Sequence, residues 1–600
     1  MKKILALILG LAVIGTLVAC GGGDSEKPVP SGSDAVEPVA ESVDIGLQPV
    51  YGPSGNQSWS DYDELIKKIK SSTDATERAG YLYEAEQWVR DTWTILPLYY
   101  DTQPYLCSTN LKDYVYSPFG WVSFKNAYMD NGQKDITVNF SSEPETMDPA
   151  LNSSVDGALM LMNSFAGLYG YDKDLNIVPD CAEKIAEPKE INGGKYEYVI
   201  TLREGLTWSD GTELKASDFE FAWKRAADPA TGADYQYMFD VIDGYASDAT
   251  CKLNVTADDD ARTIKVVTSS YCAYFDQLLA FPTYYPVRED IVMNEDWAVS
   301  EATFVSNGAF KMKKWDAGSE IVFEKNPQYW DAANVKLNSI TFLLSTDDVA
   351  IYDDYMNGKI QYTTSVPVYR IASLKNDESR MGVDFFIGDY IETYFLEINV
   401  NQSFKPGLAV TGDSAKDWEN WTPAQNTEVR HALGLLINRN KIVEQVVAGG
   451  QLPADGFVPA GMDDGTGTEF RTKADPWWSV DAADYEANVA EALDILKKYY
   501  TYDDETGKFT DFPEFKYSVN PTSSNIAVCA AVQDMWNDYG IEVEYDQRDW
   551  NVIQTALSTG DFTLSKLGWV ADYNDPVNFL EIFVSASGNN HPHLGKSLAQ

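Results

Sequence analysis

Histidine is almost missing. The 600 residues hold three, His431, His591 and His593. That disfavours a multi-histidine metal centre and a histidine-driven acid–base site. His591 and His593 flank Pro592 near the end of the chain and read as part of a frayed tail. Cysteine is scarce as well. After Cys20, the set Cys107, Cys181, Cys251, Cys272 and Cys529 is odd, sparse and without C-x-x-C spacing, so it is no disulfide scaffold. Basic residues are outnumbered, 46 Lys+Arg against 92 Asp+Glu. A surface this negative repels phosphate backbones and disfavours nucleic acid as a partner. No G-x-S-x-G, H-E-x-x-H or phosphate-binding glycine loop occurs. Paired carboxylates of a secreted glycosidase stay an alternative, but so many acids make accidental pairs inevitable. No short internal repeat is present, which excludes a solenoid or propeller.

The length predicts several domains, and 44% hydrophobic with 23% charged residues is ordinary for a globular chain. Aromatics reach 13%, which fits a well-packed core or a cleft lined with rings. Lys2 and Lys3 precede an apolar run over 4–19, too short for a comfortable membrane span and shaped like a signal peptide. The run ends in Leu17-Val18-Ala19-Cys20, followed by three glycines. This resembles a bacterial lipobox. The resemblance implies a signal peptide over 1–19, lipid attachment at Cys20, and location on the extracytoplasmic face of the cell membrane. Residues 24–43 are rich in Ser, Pro, Gly and acids, so 20–54 reads as anchor plus flexible tether. Such a compartment permits a disulfide between Cys251 and Cys272, which bracket an expected hairpin over 252–255 and 263–267. Spacing does not fix its register, so that pairing stays open.

Helical and strand signals interleave, pointing to α/β or α+β domains. Ser60 and Asp63 open a helix to residue 70; a second spans 76–91 with Leu82, Ala85 and Val89 on one face. Residues 95–100 read as a strand. Ser217-Asp218-Phe219-Glu220 is a capping-box pattern opening a helix towards Ala227. A helix over 524–539 is stopped by Gly540, and Ile541, Val543 and Tyr545 then alternate as in a half-buried strand.

Several segments resemble the peptide/oligopeptide solute-binding proteins of ABC transporters, family 5. They are Ser142-Glu143-Pro144-Glu145-Thr146-Met147-Asp148-Pro149, Trp208-Ser209-Asp210-Gly211-Thr212 with Trp223-Lys224-Arg225, Asn307-Gly308-Ala309-Phe310, Asn326-Pro327-Gln328-Tyr329-Trp330, Val429-Arg430-His431-Ala432-Leu433, Ile437-Asn438-Arg439, and Gly568-Trp569-Val570-Ala571-Asp572. Each is weak alone; the shared order over 135–590 is specific. The resemblance implies an α/β, two-lobed periplasmic-binding-protein-like fold (class II) with an extra domain on one lobe. It places one lobe at 98–168 and 282–392, the other at 55–97 and 393–590, and the extra domain at 169–281. It implies a monomeric binding protein with no catalytic residues, cofactor or metal. Its partners would be short peptides and permease subunits. The same scaffold holding an oligosaccharide, nickel complex or haem is the alternative.

One end is out of order. Residues 55–129 resemble the family's C-terminal segment, while the chain stops soon after Gly588, where that segment would begin. Two explanations stay open: a circular permutation, joined through residues 130–135, or a wrongly assembled gene sequence. If the permuted chain folds, helices 61–70 and 76–91 pack on the lobe containing 393–590. Strand 95–100 then crosses to the other lobe, and Gly55 lies near Gly588.

The resemblance also carries site residues. Asp572 stands where the family pairs a carboxylate with a ligand's α-amino group; the other reading is a helix N-cap. Gly568 and Val570 lie on the strand that pairs with peptide backbone, and Val155 on an opposing strand. Trp569 and Trp550 take aromatic pocket positions, Tyr235 faces the cleft, and Lys566 stands for an arginine that meets the carboxylate end. Asp101 replaces a third tyrosine after Tyr99-Tyr100; facing the cleft, it would favour basic side chains.

Overall fold

The computed structural model describes residues 58–140, 142–294, 296–405 and 423–596. The expected signal, Cys20 and the tether lie outside them. So does Gly55, and with it the proposed closeness to Gly588.

Helix α1 (Trp59–Ser71) starts two residues earlier than expected, at Ser58 and Asp61 and not at Ser60 and Asp63, because the Asp61 carboxylate accepts the Ser58 amide; its buried stripe is Trp59, Tyr62, Leu65, Ile66 and Ile69. Helix α2 (Ala75–Thr92) is capped by Asp74, which accepts the amides of Thr76 and Glu77. Leu82, Ala85, Trp88 and Val89 are all buried. The chain enters β1 (Ile95–Cys107), well past the end expected from sequence. It continues through β2 (Asp135–Asn139), helix α3 (Val155–Ser164), β3 (Lys189–Glu190), β4 (Tyr196–Thr201), α4 (Ala216–Ala226), β5 (Val255–Asp258) and β6 (Thr263–Thr268). Then come β7 (Phe310–Asp316), β8 (Glu320–Lys325), β9 (Ser339–Leu343), β10 (Tyr362–Thr363), β11 (Phe385–Ile398) and β12 (Leu452–Pro453). The chain closes with β13 (Phe515–Val519), α5 (Ser523–Asn537), β14 (Val543–Gln547), α6 (Trp550–Thr559), β15 (Leu564–Val570) and α7 (Val577–Leu580).

One mixed sheet has the order β7-β8-β9-β2-β10-β1-β11-β15-β13-β14, with β12 added on β1. Only β1 and β11, of 13 and 14 residues, run through both halves. At one end they pair Ile95 with Glu397 beside β15; at the other, Leu106 opposes Phe385 and, on its other side, Thr363 of β10. Between these ends the register shifts twice, between Pro97 and Tyr99 and between Tyr100 and Thr102. Such bulges bend and twist a strand pair. Strands β5-β6-β4-β3 form a separate small sheet against which α4 packs.

The early helices are docked, not free. Trp59 Nε1 donates to the Phe583 carbonyl at 2.8 Å and Tyr62 Oη to that of Leu580 at 2.7 Å. Arg78 pairs with Asp575 at 2.8 Å. Glu86, fully buried, accepts the amides of Phe457 and Val458 and pairs with Arg471. Further on, the Phe124 amide donates to Asn163 at 2.8 Å, and the Ser108 amide to the Gln361 carbonyl at 2.8 Å. The strand Tyr128–Met129 reaches β2 through a tight turn in which Gly132, at φ +85°, supplies the left-handed residue. Among the described residues no helix is long and apolar enough to cross a membrane.

Three expectations are corrected. The tail is packed: Leu594 is fully buried, His593 is 9% exposed and Asn590 ties the Leu594 amide and carbonyl. Helix α4 begins at Ala216, because Asp218 accepts the Lys215 amide while the Ser217 hydroxyl turns to Asp259. The hairpin forms from β5 and β6, but its first strand is Val255–Asp258 and not 252–255; Cys251 and Cys272, whose pairing the sequence leaves open, are free thiols.

Candidate functional site

A cavity of about 790 Å³ lies over the middle of β1 and β11. Small-ligand sites span about 300–1,000 Å³. Asp572, Trp569, Gly568, Val570, Trp550, Tyr235, Lys566 and Val155, scattered in sequence, all line it. Val155 does so from an unexpected element: it is the first residue of α3, behind the Ser154 N-cap, and belongs to no strand. The Ser154 hydroxyl captures the Gly157 amide, which starts a helix where the resemblance implied a strand.

Strand β15 supplies an open edge. It pairs with β11 along its length, but with β13 only at Leu564 and Ser565. The Ala571 amide donates to the Ile391 carbonyl, which sets the phase of the ladder. Backbone groups of Gly568 and Val570 therefore point away from β11, along the edge that no strand covers among the described residues.

Asp572 follows directly. Tyr235 Oη donates to its Oδ1 at 3.1 Å and Asn578 Nδ2 to its Oδ2 at 3.0 Å. No cation lies within ion-pair distance among the described residues. It is no helix cap either: Asp575 accepts the Val577 amide at the start of α7. Burial pushes the Asp572 carboxyl up to about 7, helped by the charge of Glu581 and opposed by the two donors. The pocket is thus short of one positive charge there. Lys566 sits at the other end of β15, its Nζ 5.2 Å from the Trp550 ring centroid and 5.5 Å from that of Tyr394. Burial lowers its basicity against the pull of Glu392, Asp101 and Asp156.

Sequence reading missed Glu392, Asp156 and His591, all of which line the cavity. Burial lowers the His591 imidazole to about 3, which favours its neutral form. Asp101 does face the cleft, fixed by Gln451 Nε2 at 3.0 Å. Among the described residues no group of His, Cys, Asp and Glu could hold a metal ion.

Residues 176–591 match the bacterial extracellular solute-binding proteins, family 5. The chain belongs to that family. Family 5 members are binding proteins, and the two-lobed periplasmic-binding-protein fold is theirs. The oligopeptide-binding protein OppA of Bacillus subtilis (strain 168) is 31% identical over 475 residues, 77% of this chain and 79% of the relative. The periplasmic oligopeptide-binding protein OppA of Salmonella typhimurium is 31% identical over 479 residues, again 77% and 79%. The structure of Haemophilus influenzae OppA in complex with RPPGFSPFR superposes with a TM-score of 0.62 at 25% identity, covering 77% of this chain and 84% of that one.

The Asp572 chemistry makes a pH prediction. An α-ammonium favours ionised Asp572, whereas the free carboxyl is protonated below about pH 7. Binding below that pH must therefore expel a proton. Free-amino peptides should lose about tenfold in affinity per pH unit below 7, relative to N-acetylated controls. Calorimetry in buffers of different ionisation enthalpy reads the proton release directly; a flat profile would contradict it.

Proposed function

We propose that this family 5 protein captures short peptides in the cleft between its lobes and passes them to the permease subunits of an ABC transporter. The observation that carries this reading is Asp572, a half-buried carboxylate that meets no cation among the described residues, placed at the end of a strand whose outer edge is open. Together they suit the two features every peptide shares, a charged amino terminus and a backbone that can add to a sheet. The names of the relatives support the same class. Lobe closure about β1 and β11 would bury the ligand. The lobes proposed are 98–168 with 282–392, and 55–97 with 393–590; 169–281 is the extra domain. Native mass spectrometry of protein purified without denaturation tests the reading: co-purified short peptides are expected, and a sugar or metal complex in their place would contradict it.

Lipid anchoring at Cys20 belongs to the same proposal, on the lipobox-like sequence alone. Cys20→Ala should move the protein from the membrane fraction to the soluble one, and an unchanged fractionation would remove the anchor.

The permuted order is also proposed as genuine. Residues 59–129 lie outside the span matched by the family, yet helices α1 and α2 pack on Arg471, Asp575 and 580–583 as part of the core. Mass spectrometry of the protein from its natural source should find the tryptic peptide 126–134, which runs into the join. Its absence beside otherwise full coverage would favour a wrongly assembled sequence.

A further inference from the structure

The cleft holds more negative charge than one α-ammonium requires. Among the described residues seven carboxylates line it against a single lysine, Lys566. Three of the seven, Asp101, Asp156 and Glu392, act on that lysine. Asp101 is occupied by Gln451 and the Thr102 amide, and Asp156 by the Ser142 hydroxyl.

Glu392 is different. It is only 9% exposed, and no described residue offers it a hydrogen bond or an ion pair. The β11–β15 register sets Tyr394 opposite Gly568 and Glu392 opposite Val570. A Cβ added to Gly568 would lie 1.7 Å from Glu392 Oε1. The carboxylate therefore fills the space a side chain at 568 would take, on the cleft face of β15. A buried carboxylate without a partner is costly, and Lys566 can neutralise only one of three. Burial and the charge of Asp101 accordingly drive the Glu392 carboxyl upward. Among the described residues the cluster is no metal-holding set, so an organic cation suits it better than a metal ion.

We propose that Glu392, with Asp101 and Asp156, forms a subsite for a basic side chain, lysine or arginine, of the bound peptide. This rests on the peptide reading above and adds a specificity to it. From Asp572 to Gly568 is four residues, about 13 Å of strand at ~3.3 Å each. With the ammonium at Asp572, the basic residue falls within the first four of the ligand. Hydrogen bonding to a charged partner suits both arginine and lysine.

The test uses the intact protein and alanine tetrapeptides carrying lysine or its uncharged isostere norleucine at each position, titrated by calorimetry. Lysine should bind at least about tenfold more tightly than norleucine at one position. In Glu392→Gln that ratio should fall to within about twofold of one. Equal affinities at every position in the unaltered protein would overturn the subsite while leaving peptide binding intact. A ratio unchanged in Glu392→Gln would overturn the assignment to Glu392. Failure of every tetrapeptide to bind would overturn the peptide reading and the subsite with it.

Discussion

Asp572→Ala is expected to weaken the binding of free-amino peptides by about 2–4 kcal/mol, roughly 30- to 900-fold in Kd. The side chain is held by two neutral donors and meets no cation among the described residues, so a ligand ammonium would supply the partner the pocket lacks. Removing the carboxylate leaves that ammonium desolvated against Tyr235 and Asn578. N-acetylated peptides carry no ammonium and should lose much less. The comparison of the two peptide forms, titrated against the same variant, is the informative measurement. Equal losses would take Asp572 out of the ammonium role. The empty protein should move the other way. A carboxyl held at about 7 when folded, against about 4 when unfolded, takes up protons on folding between those values. Its destabilising effect is absent below about pH 4, grows as pH rises and is complete above about pH 7. Asp572→Asn should therefore unfold at higher temperature than the unaltered protein at pH 8, and no differently at pH 4.

Trp88→Ala is expected to cost about 3–5 kcal/mol of stability, the range for deleting a buried indole. Trp88 is 1% exposed and packs its ring against Trp59 at 6.0 Å and Tyr62 at 6.1 Å. These three rings join α1 and α2 to the carbonyls of Leu580 and Phe583. A cavity there should loosen both the early helices and the chain near α7. Denaturant unfolding gives the free energy, and hydrogen exchange shows whether 59–92 and 577–583 lose protection together. A loss below about 1 kcal/mol would mean the helices are not part of the core.

What sequence could show follows from where the information sits. Helices α1, α2 and α5 were legible because each carries its own apolar stripe, although their caps, Ser58, Asp74 and Thr522, were not read from the sequence. The small hairpin of β5 and β6 was legible for the same local reason. Strand β1 was not. Asp101, Thr102, Gln103 and Pro104 break the apolar pattern, and the strand continues only because β11 and β10 pair with it across both halves of the sheet. The tail around His591 looked frayed because its partners lie far away in sequence, as Gly595 against Trp59 shows. Glu392 was hidden most completely. In Tyr390-Ile391-Glu392-Thr393-Tyr394 it reads as an ordinary polar position on a strand. Its role emerges only with Gly568 opposite and the cavity above. Val155 shows the reverse hazard: a matched position can keep its place in the cleft while changing its backbone conformation.

The most direct test is a crystal structure of the protein with a bound free-amino peptide. The account predicts the α-ammonium within about 3 Å of the Asp572 carboxylate, and the peptide backbone hydrogen-bonded to Gly568 and Val570 along the open edge of β15. A peptide lying elsewhere, or one whose amino terminus points away from Asp572 with the β15 edge left empty, would contradict it.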